Sequence, residues 1–228
     1  MVWRLIEETR TPRGELLQLV GSATDYLIRV DGLQLMGSEG HYSEEQLADL
    51  VCARMAPRTA PNVLVGGLGM GFTLRAVLER VPDSARVWVV ELVDEVINWS
   101  SRHFGHLAGH PLRDSRVQVH QGDVSAWLAD AAVRFDAIVL DVDNGPGSST
   151  YEAEASLYAT AGLRRLHRSL APAGVVGVWA SDYDPEFGTR LQRAGFNARA
   201  HACPARPDRE HPQHVLWVGQ RRDSFSKA

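Results

Sequence analysis

Apolar residues change their spacing several times along the chain, and each change marks an element. Short apolar runs lie at Val63-Leu64-Val65, Val87–Leu92, Arg116–His120, Phe135–Asp141 and Gly174–Trp179. Their length predicts strands, and the mostly apolar Phe135–Asp141 run is that of a strand covered on both faces. Between them, apolar positions recur every three or four residues, which predicts helices over 72–80, 93–104, 124–131, Leu157–Leu170 and Asp184–Ala194. Asn197–Ala202 and His214–Val218 read as a closing strand pair. The β-α-β-α alternation predicts an α/β fold with a mainly parallel sheet, helices on both faces and a closing antiparallel strand.

The first 40 residues follow a different pattern. Glu15–Val20, Tyr26–Val30 and Leu33–Met36 read as short strands, joined by turns at Gly21-Ser22 and Asp31-Gly32. This meander is too small to stand alone and is expected to pack on the main body as a flap. The division is therefore 1–40, a β-hairpin flap, and 41–228, the main domain. Residues 43–55 read as a helix, with Ser43 and Gln46 as a capping box and Leu47, Leu50, Val51 and Met55 on one face. Pro57 to Pro61 ends it.

Composition adds constraints. The 228 residues suit one large domain with a small appendage, and 44% apolar with 23% charged residues is ordinary for a globular protein. A net charge of −4 gives no general attraction to nucleic acid. Cys52 and Cys203 form no C-x-x-C, so a reducing compartment is expected. The N-terminus lacks the basic head and apolar run of a signal peptide, and no stretch approaches the length of a membrane span. The expectation is a cytoplasmic protein with neither nucleic acid nor membrane as partner.

The candidate chemistry sits at strand ends. The first central strand runs into Gly66-Gly67-Leu68-Gly69-Met70-Gly71. Glycines let a backbone turn sharply and approach a ligand closely, and the loop opens a helix whose first N–H groups are unpaired. Glu91, with Leu92, ends the next strand, where a carboxylate can accept bonds from two ribose hydroxyls. The G-x-G-x-G spacing at Gly67, Gly69 and Gly71 departs from the dinucleotide G-x-G-x-x-G and is similar to that of S-adenosylmethionine (AdoMet) enzymes. In such a site Asp123 would accept from the adenine amino group, Val124 would offer its N–H to the ring, and Asp141 would lie nearest the sulfonium. Asp123 is equally readable as a helix N-cap.

Together Val63–Glu79, Val90–Glu95, Val117–Leu128 and Phe135–Pro146 resemble the spermidine synthase (polyamine aminopropyltransferase) family, a branch of the class I AdoMet-methyltransferase fold. The flap segment Leu27–Leu35 is similar to that family's N-terminal flap. The resemblance covers roughly residues 15–185. It implies a Rossmann-like domain, AdoMet or decarboxylated AdoMet as cofactor, a small-molecule acceptor, and a homodimer as the candidate assembly. Departures accompany it. Met70 stands where the family's glycine loop carries an Asp, and Asp141-Val142-Asp143-Asn144-Gly145-Pro146 stands for Asp-Ser-Ser/Thr-Asp-Pro. The flap's Tyr-Gln is missing, as is the Gln after the fifth strand, where Val178-Trp179-Ala180-Ser181 stands.

The first expectation is thus an AdoMet-dependent methyltransferase acting on a small, amine-containing molecule. Asp141 and Asp143 are the candidate catalytic residues, and His41, Tyr42, Asn144 and Trp179 the candidate acceptor residues. Polyamine aminopropyl transfer from decarboxylated AdoMet is the second reading, and a non-catalytic nucleoside-binding protein the third. His41-Tyr42 is also readable as a helix staple, and Trp127 and Trp179 as core. His201, Cys203, His211 and His214 carry metal-ligand chemistry, but their spacing in a proline-rich loop favours solvated side chains, so no metal is expected.

Overall fold

The computed structural model describes residues 2–142, 145–146, 157–208 and 211–222. Four strands, β1 (Arg4–Arg10), β2 (Leu16–Gly21), β3 (Tyr26–Val30) and β4 (Leu33–Gly37), form an antiparallel meander. The sequence pattern predicted the last three. It did not predict β1, whose side chains are mostly exposed and show no buried stripe. Glu7 fastens β1 to the main body: its carboxylate accepts from Trp99 Nε1 at 2.8 Å and from Arg102 at 2.8 and 2.9 Å, and lies 2.7 Å from His103 Nε2. Leu17, Leu19 and Ile28 of the meander join the same buried cluster as Leu47, Val51 and Val65.

The main domain is a seven-stranded sheet. Its strands are β5 (Asn62–Gly66), β6 (Arg86–Glu91), β7 (Val117–Gln121), β8 (Phe135–Leu140), β9 (Leu170–Ala180), β10 (Phe196–Cys203) and β11 (His214–Arg221). The spatial order is β10-β11-β9-β8-β5-β6-β7. Strands β5 to β9 run parallel, and β11 pairs antiparallel with both β9 and β10. Helices α1 (Tyr42–Cys52), α2 (Phe72–Leu78), α3 (Asp94–Trp99), α4 (Val124–Asp130), α5 (Thr160–Ser169) and α6 (Pro185–Arg193) connect them.

Several boundaries differ from the pattern. Helix α3 stops at Trp99 and continues as a π turn over Ser100–Phe104. Strand β9 starts at Leu170, before Pro172, and its pairing with β8 shifts register between Phe135 and Ala137. The Ser43–Gln46 capping box does not form. The N-cap of α1 is His41, and Ser43 is buried inside the helix with its hydroxyl turned toward β9 and β11.

Helix α1 lies on β9 at Gly177. A Cβ there would stand 2.3 Å from Val51 Cγ2 and 3.0 Å from Leu47 Cδ1, both fully buried. Gly177→Ala is therefore expected to destabilise the fold by about 1–3 kcal/mol through overpacking, read as a lowered denaturation midpoint. An unchanged midpoint would show that α1 can lift from the sheet freely.

Candidate functional site

The sheet order reverses between β5 and β8, and open α/β sheets place ligands at that point beyond the strands' carboxyl ends. The glycine loop after β5 occupies it. Gly67, Gly69 and Gly71 have φ of +84°, +50° and +90°, a region costly for residues with a Cβ. Space is the second reason for glycine. A Cβ on Gly67 would sit 2.1 Å from the Asp141 carbonyl oxygen, and one on Gly69 would be 3.2 Å from Met36 Sδ of the flap.

Glu91 holds this loop from the end of β6. Its Oε2 accepts from Leu68 N at 2.8 Å and its Oε1 from Val93 N at 2.9 Å. Burial pushes the Glu91 carboxyl above its ordinary value, and the surrounding backbone N–H groups oppose that rise. The backbone N–H groups of Gly69 and Leu92 also face this carboxylate, so the turn after β5 and the turn after β6 are tied to one side chain. Asp123 caps α4, accepting from Ala126 N at 2.8 Å through Oδ1. The cap reading thus holds, and the residue also lines the groove.

Two cavities meet here. The narrower, about 110 Å³, is lined by Gly67, Glu91, Leu92, Asp123, Val124 and Asp141, with the flap residues Leu35 and Met36 above. It gathers most of the residues expected at the cofactor. The second, about 520 Å³, is lined by Ser43, Glu44, Met70, Thr73, Trp179 and His214 among others. Leu35, Met36, Gly69 and Asp141 border both.

Asp141 therefore stands at the junction. It accepts from Thr73 Oγ1 at 2.5 Å, and burial raises its carboxyl to about 6. Trp179 is placed on the wall of the larger cavity, donating from Nε1 to Ser43 Oγ at 3.0 Å. His214 Nδ1 lies 2.9 Å from the same oxygen. Burial holds the His214 ring below its usual pKa. Gln34 and Tyr26 of the flap also reach this cavity.

His41 and Tyr42 do not line either cavity. His41 stacks on Phe72, with ring centroids 4.0 Å apart, and its Nδ1 lies 2.9 Å from Glu45 Oε1. The next two residues, Ser43 and Glu44, face the cavity instead. Helical periodicity carried a signal for Glu44, which shares the stripe of Leu47, Ala48 and Val51 at i+3, i+4 and i+7. Asp143 and Asn144 lie outside the described residues. The C-terminal histidines and cysteine diverge: His201 Nε2 lies 3.3 Å from Arg54, Cys203 Sγ bonds the Pro204 carbonyl, and His214 meets Ser43. Among the described residues no three His, Cys, Asp or Glu side chains are grouped to hold a metal.

Glu91→Ala would leave two loop N–H groups without their acceptor. The expected loss is about 1–3 kcal/mol of stability, with faster hydrogen exchange at the Leu68 and Val93 amides. Unchanged exchange there would mean that the loop holds its shape without this carboxylate.

Comparison with known proteins follows the same outline. The sequence profile of the spermine/spermidine synthase domain matches residues 41–183. The chain is 33% identical over 118 residues to putrescine N-methyltransferase 2 of Nicotiana attenuata, covering 50% of this chain and 29% of that protein. It is 30% identical over 182 residues to polyamine aminopropyltransferase 2 of Ralstonia nicotianae (strain ATCC BAA-1114 / GMI1000), covering 75% of this chain and 34% of that protein. The chain spans about a third of the length of these relatives. The structure of spermidine synthase from Thermotoga maritima aligns with a TM-score of 0.74 and 18% identity, over 97% of this chain and 73% of that one. A probable spermidine synthase from Corynebacterium glutamicum ATCC 13032 gives 0.69 and 17%, over 99% and 82%. At such identities the solved structures speak for the fold: a Rossmann-like sheet with a small N-terminal β-sheet.

Proposed function

The chain belongs to the spermine/spermidine synthase family, and from that premise we propose that it is an AdoMet-dependent transferase that alkylates an amine, with methyl transfer as its reaction. The observation that carries this reading is Asp141, a carboxylate at the junction of a glycine-loop groove and a second cavity large enough for a small molecule. The relatives' names include both a putrescine N-methyltransferase and a polyamine aminopropyltransferase, so an amine acceptor is common to both reactions.

The residues fit the cofactor. Glu91 stands at the groove wall, Gly67 and Gly69 bring the loop backbone to it without side chains, and Leu92, Asp123 and Val124 line it as well. Bound AdoMet supplies a carbon made electrophilic by its positive sulfur. The protein's part is alignment, exclusion of water and handling of one proton. An amine arrives protonated at neutral pH and must lose that proton before its lone pair can form the new bond to carbon. Asp141 is placed to accept it. The hydroxyl of Thr73 fixes the orientation of the carboxylate. The flap covers the junction through Leu35 and Met36.

Methyl rather than aminopropyl transfer is favoured by Met70. This side chain borders the acceptor cavity from the glycine loop and is 4% exposed. It presents no charge to the ammonium that decarboxylated AdoMet carries. Calorimetric titration with AdoMet, decarboxylated AdoMet and methylthioadenosine tests the reading. AdoMet is expected to bind at least about tenfold tighter than its decarboxylated form, a difference of about 1.4 kcal/mol. The reverse order would return the chain to aminopropyl transfer, and binding of none would remove the cofactor assignment.

Acidity gives a second expectation. Asp141 works as the carboxylate, and its folded-state value of about 6 exceeds the ordinary 3.8. Transfer should therefore fall as pH drops through about 6 and level off above it. Initial rates with any accepted amine would show this acid limb. Asp141→Asn should lower the rate about 10²-fold or more and abolish the limb.

A further inference from the structure

Glu44 is the least satisfied ionisable group around the larger cavity. It borders that cavity from the first turn of α1. Its Oε2 is sealed from solvent and has no hydrogen-bond partner among the described residues. An unpartnered buried carboxylate is costly, and two carboxylates sharing one site cost more. Asp141 borders the same cavity and repels it.

The surrounding elements hold cations, but these are engaged elsewhere. On α2, Arg75 pairs with Glu45, and Arg80, just past the helix end, pairs with Asp49. On β11, His214 is turned to Ser43, and on β9 the nearest polar atom, Trp179 Nε1, donates to that same hydroxyl. Glu45, beside Glu44 on α1, adds to the repulsion while serving Arg75 and His41. Of the four acids that border the cavity among the described residues, Asp25, Glu39 and Asp141 have partners in Ser38, Arg206 and Thr73, and Glu44 Oε2 has none.

The geometry points to Glu44 as a substrate-binding residue that, together with Asp141, seats the ammonium group of the acceptor amine. The ligand supplies a cation, and an N–H donor for the Oε2 that has no partner among the described residues. Burial and the neighbouring Asp141 charge raise the Glu44 carboxyl well above its ordinary value in the free protein, and an ammonium beside both acids offsets that repulsion and favours the ionised Glu44. The occupied seat thus pairs the ammonium with carboxylates on two elements, α1 and the end of β8, and E44Q removes one of them. A neutral alcohol of the same length gains nothing comparable, so the seat selects primary or secondary amines. This inference rests on the transferase reading and adds the acceptor's recognition to it.

The test uses the full chain and Glu44→Gln, each titrated with methylthioadenosine. The loaded proteins are then titrated with primary aliphatic amines from butylamine to 1,4-diaminobutane, and with 1-butanol. The wild type is expected to bind an amine at least tenfold tighter than 1-butanol, and E44Q to lose that preference. Methylthioadenosine affinity should change less than twofold. The melting temperature of unliganded E44Q should rise by about 2–4 °C at pH 8. Ionising Glu44 burdens the fold above its ordinary value of 4.5, so this gain should shrink as pH falls toward that value. A merely structural Glu44 predicts the opposite, a lower melting temperature with amine binding intact, and that result would overturn the proposal. So would a wild type that binds no amine in the panel, or an E44Q whose only loss is affinity for decarboxylated AdoMet. Amine binding that depends on Glu44 without any methylthioadenosine binding would sustain the seat and remove the transferase reading.

Discussion

The ends of β5 and β8 lie closer together than side chains allow, and the site is built on that approach. Asp141 N donates to the Gly66 carbonyl at 2.9 Å, and the Asp141 carbonyl fills the space where Gly67 would carry a Cβ. The two backbones are thus locked where the sheet order reverses. Thr73 at the start of α2 then meets the Asp141 carboxylate. The same turn delivers Leu68 N to Glu91 at the end of β6. A bulkier residue at 67 would part β5 from β8 and separate the acid, the loop and the second carboxylate together.

Much of this was legible because the buried strands leave little ambiguity. Strands β5, β6, β8 and β9 are mostly buried apolar runs, while β7 at the sheet edge buries none of its residues fully, and the strand ends announce Gly67, Glu91, Asp123 and Asp141. Elements whose burial is partial were harder to read. Strand β1 buries almost none of its side chains, so it has no alternating stripe. What holds it is Glu7 reaching Trp99, Arg102 and His103, partners more than 90 residues away that no local pattern announces.

The acceptor side shows why local rules mislead at a site. Ser43 followed by Gln46 satisfies the capping pattern, yet the serine hydroxyl serves Trp179 and His214, 136 and 171 residues further on. His41 and Tyr42 look exposed and functional, but a helix turns its residues through about 100° each. Two positions later the chain faces the cavity, with Glu44 on the apolar stripe. A carboxylate on such a stripe conflicts with the core it joins, and conflicts of that kind concentrate where function has overridden stability.

The location of the charge bears on which partner the cavity favours. The glycine loop, which lines the narrower groove, contributes the neutral Met70 to the larger cavity. The uncompensated carboxylate instead sits on α1, in the segment that follows the flap. A positive group carried by the cofactor would find its complement across the cavity, while one carried by the acceptor finds it beside Asp141. Arg75 and Arg80 could have neutralised this end of the cavity, but Glu45 and Asp49 hold both on the outer side of the helix pair. Asp25, Glu39, Glu44 and Asp141 all border the cavity, but Ser38 bonds Asp25, Arg206 faces Glu39 and Thr73 bonds Asp141, so among the described residues Glu44 is the acid left with an unpartnered oxygen.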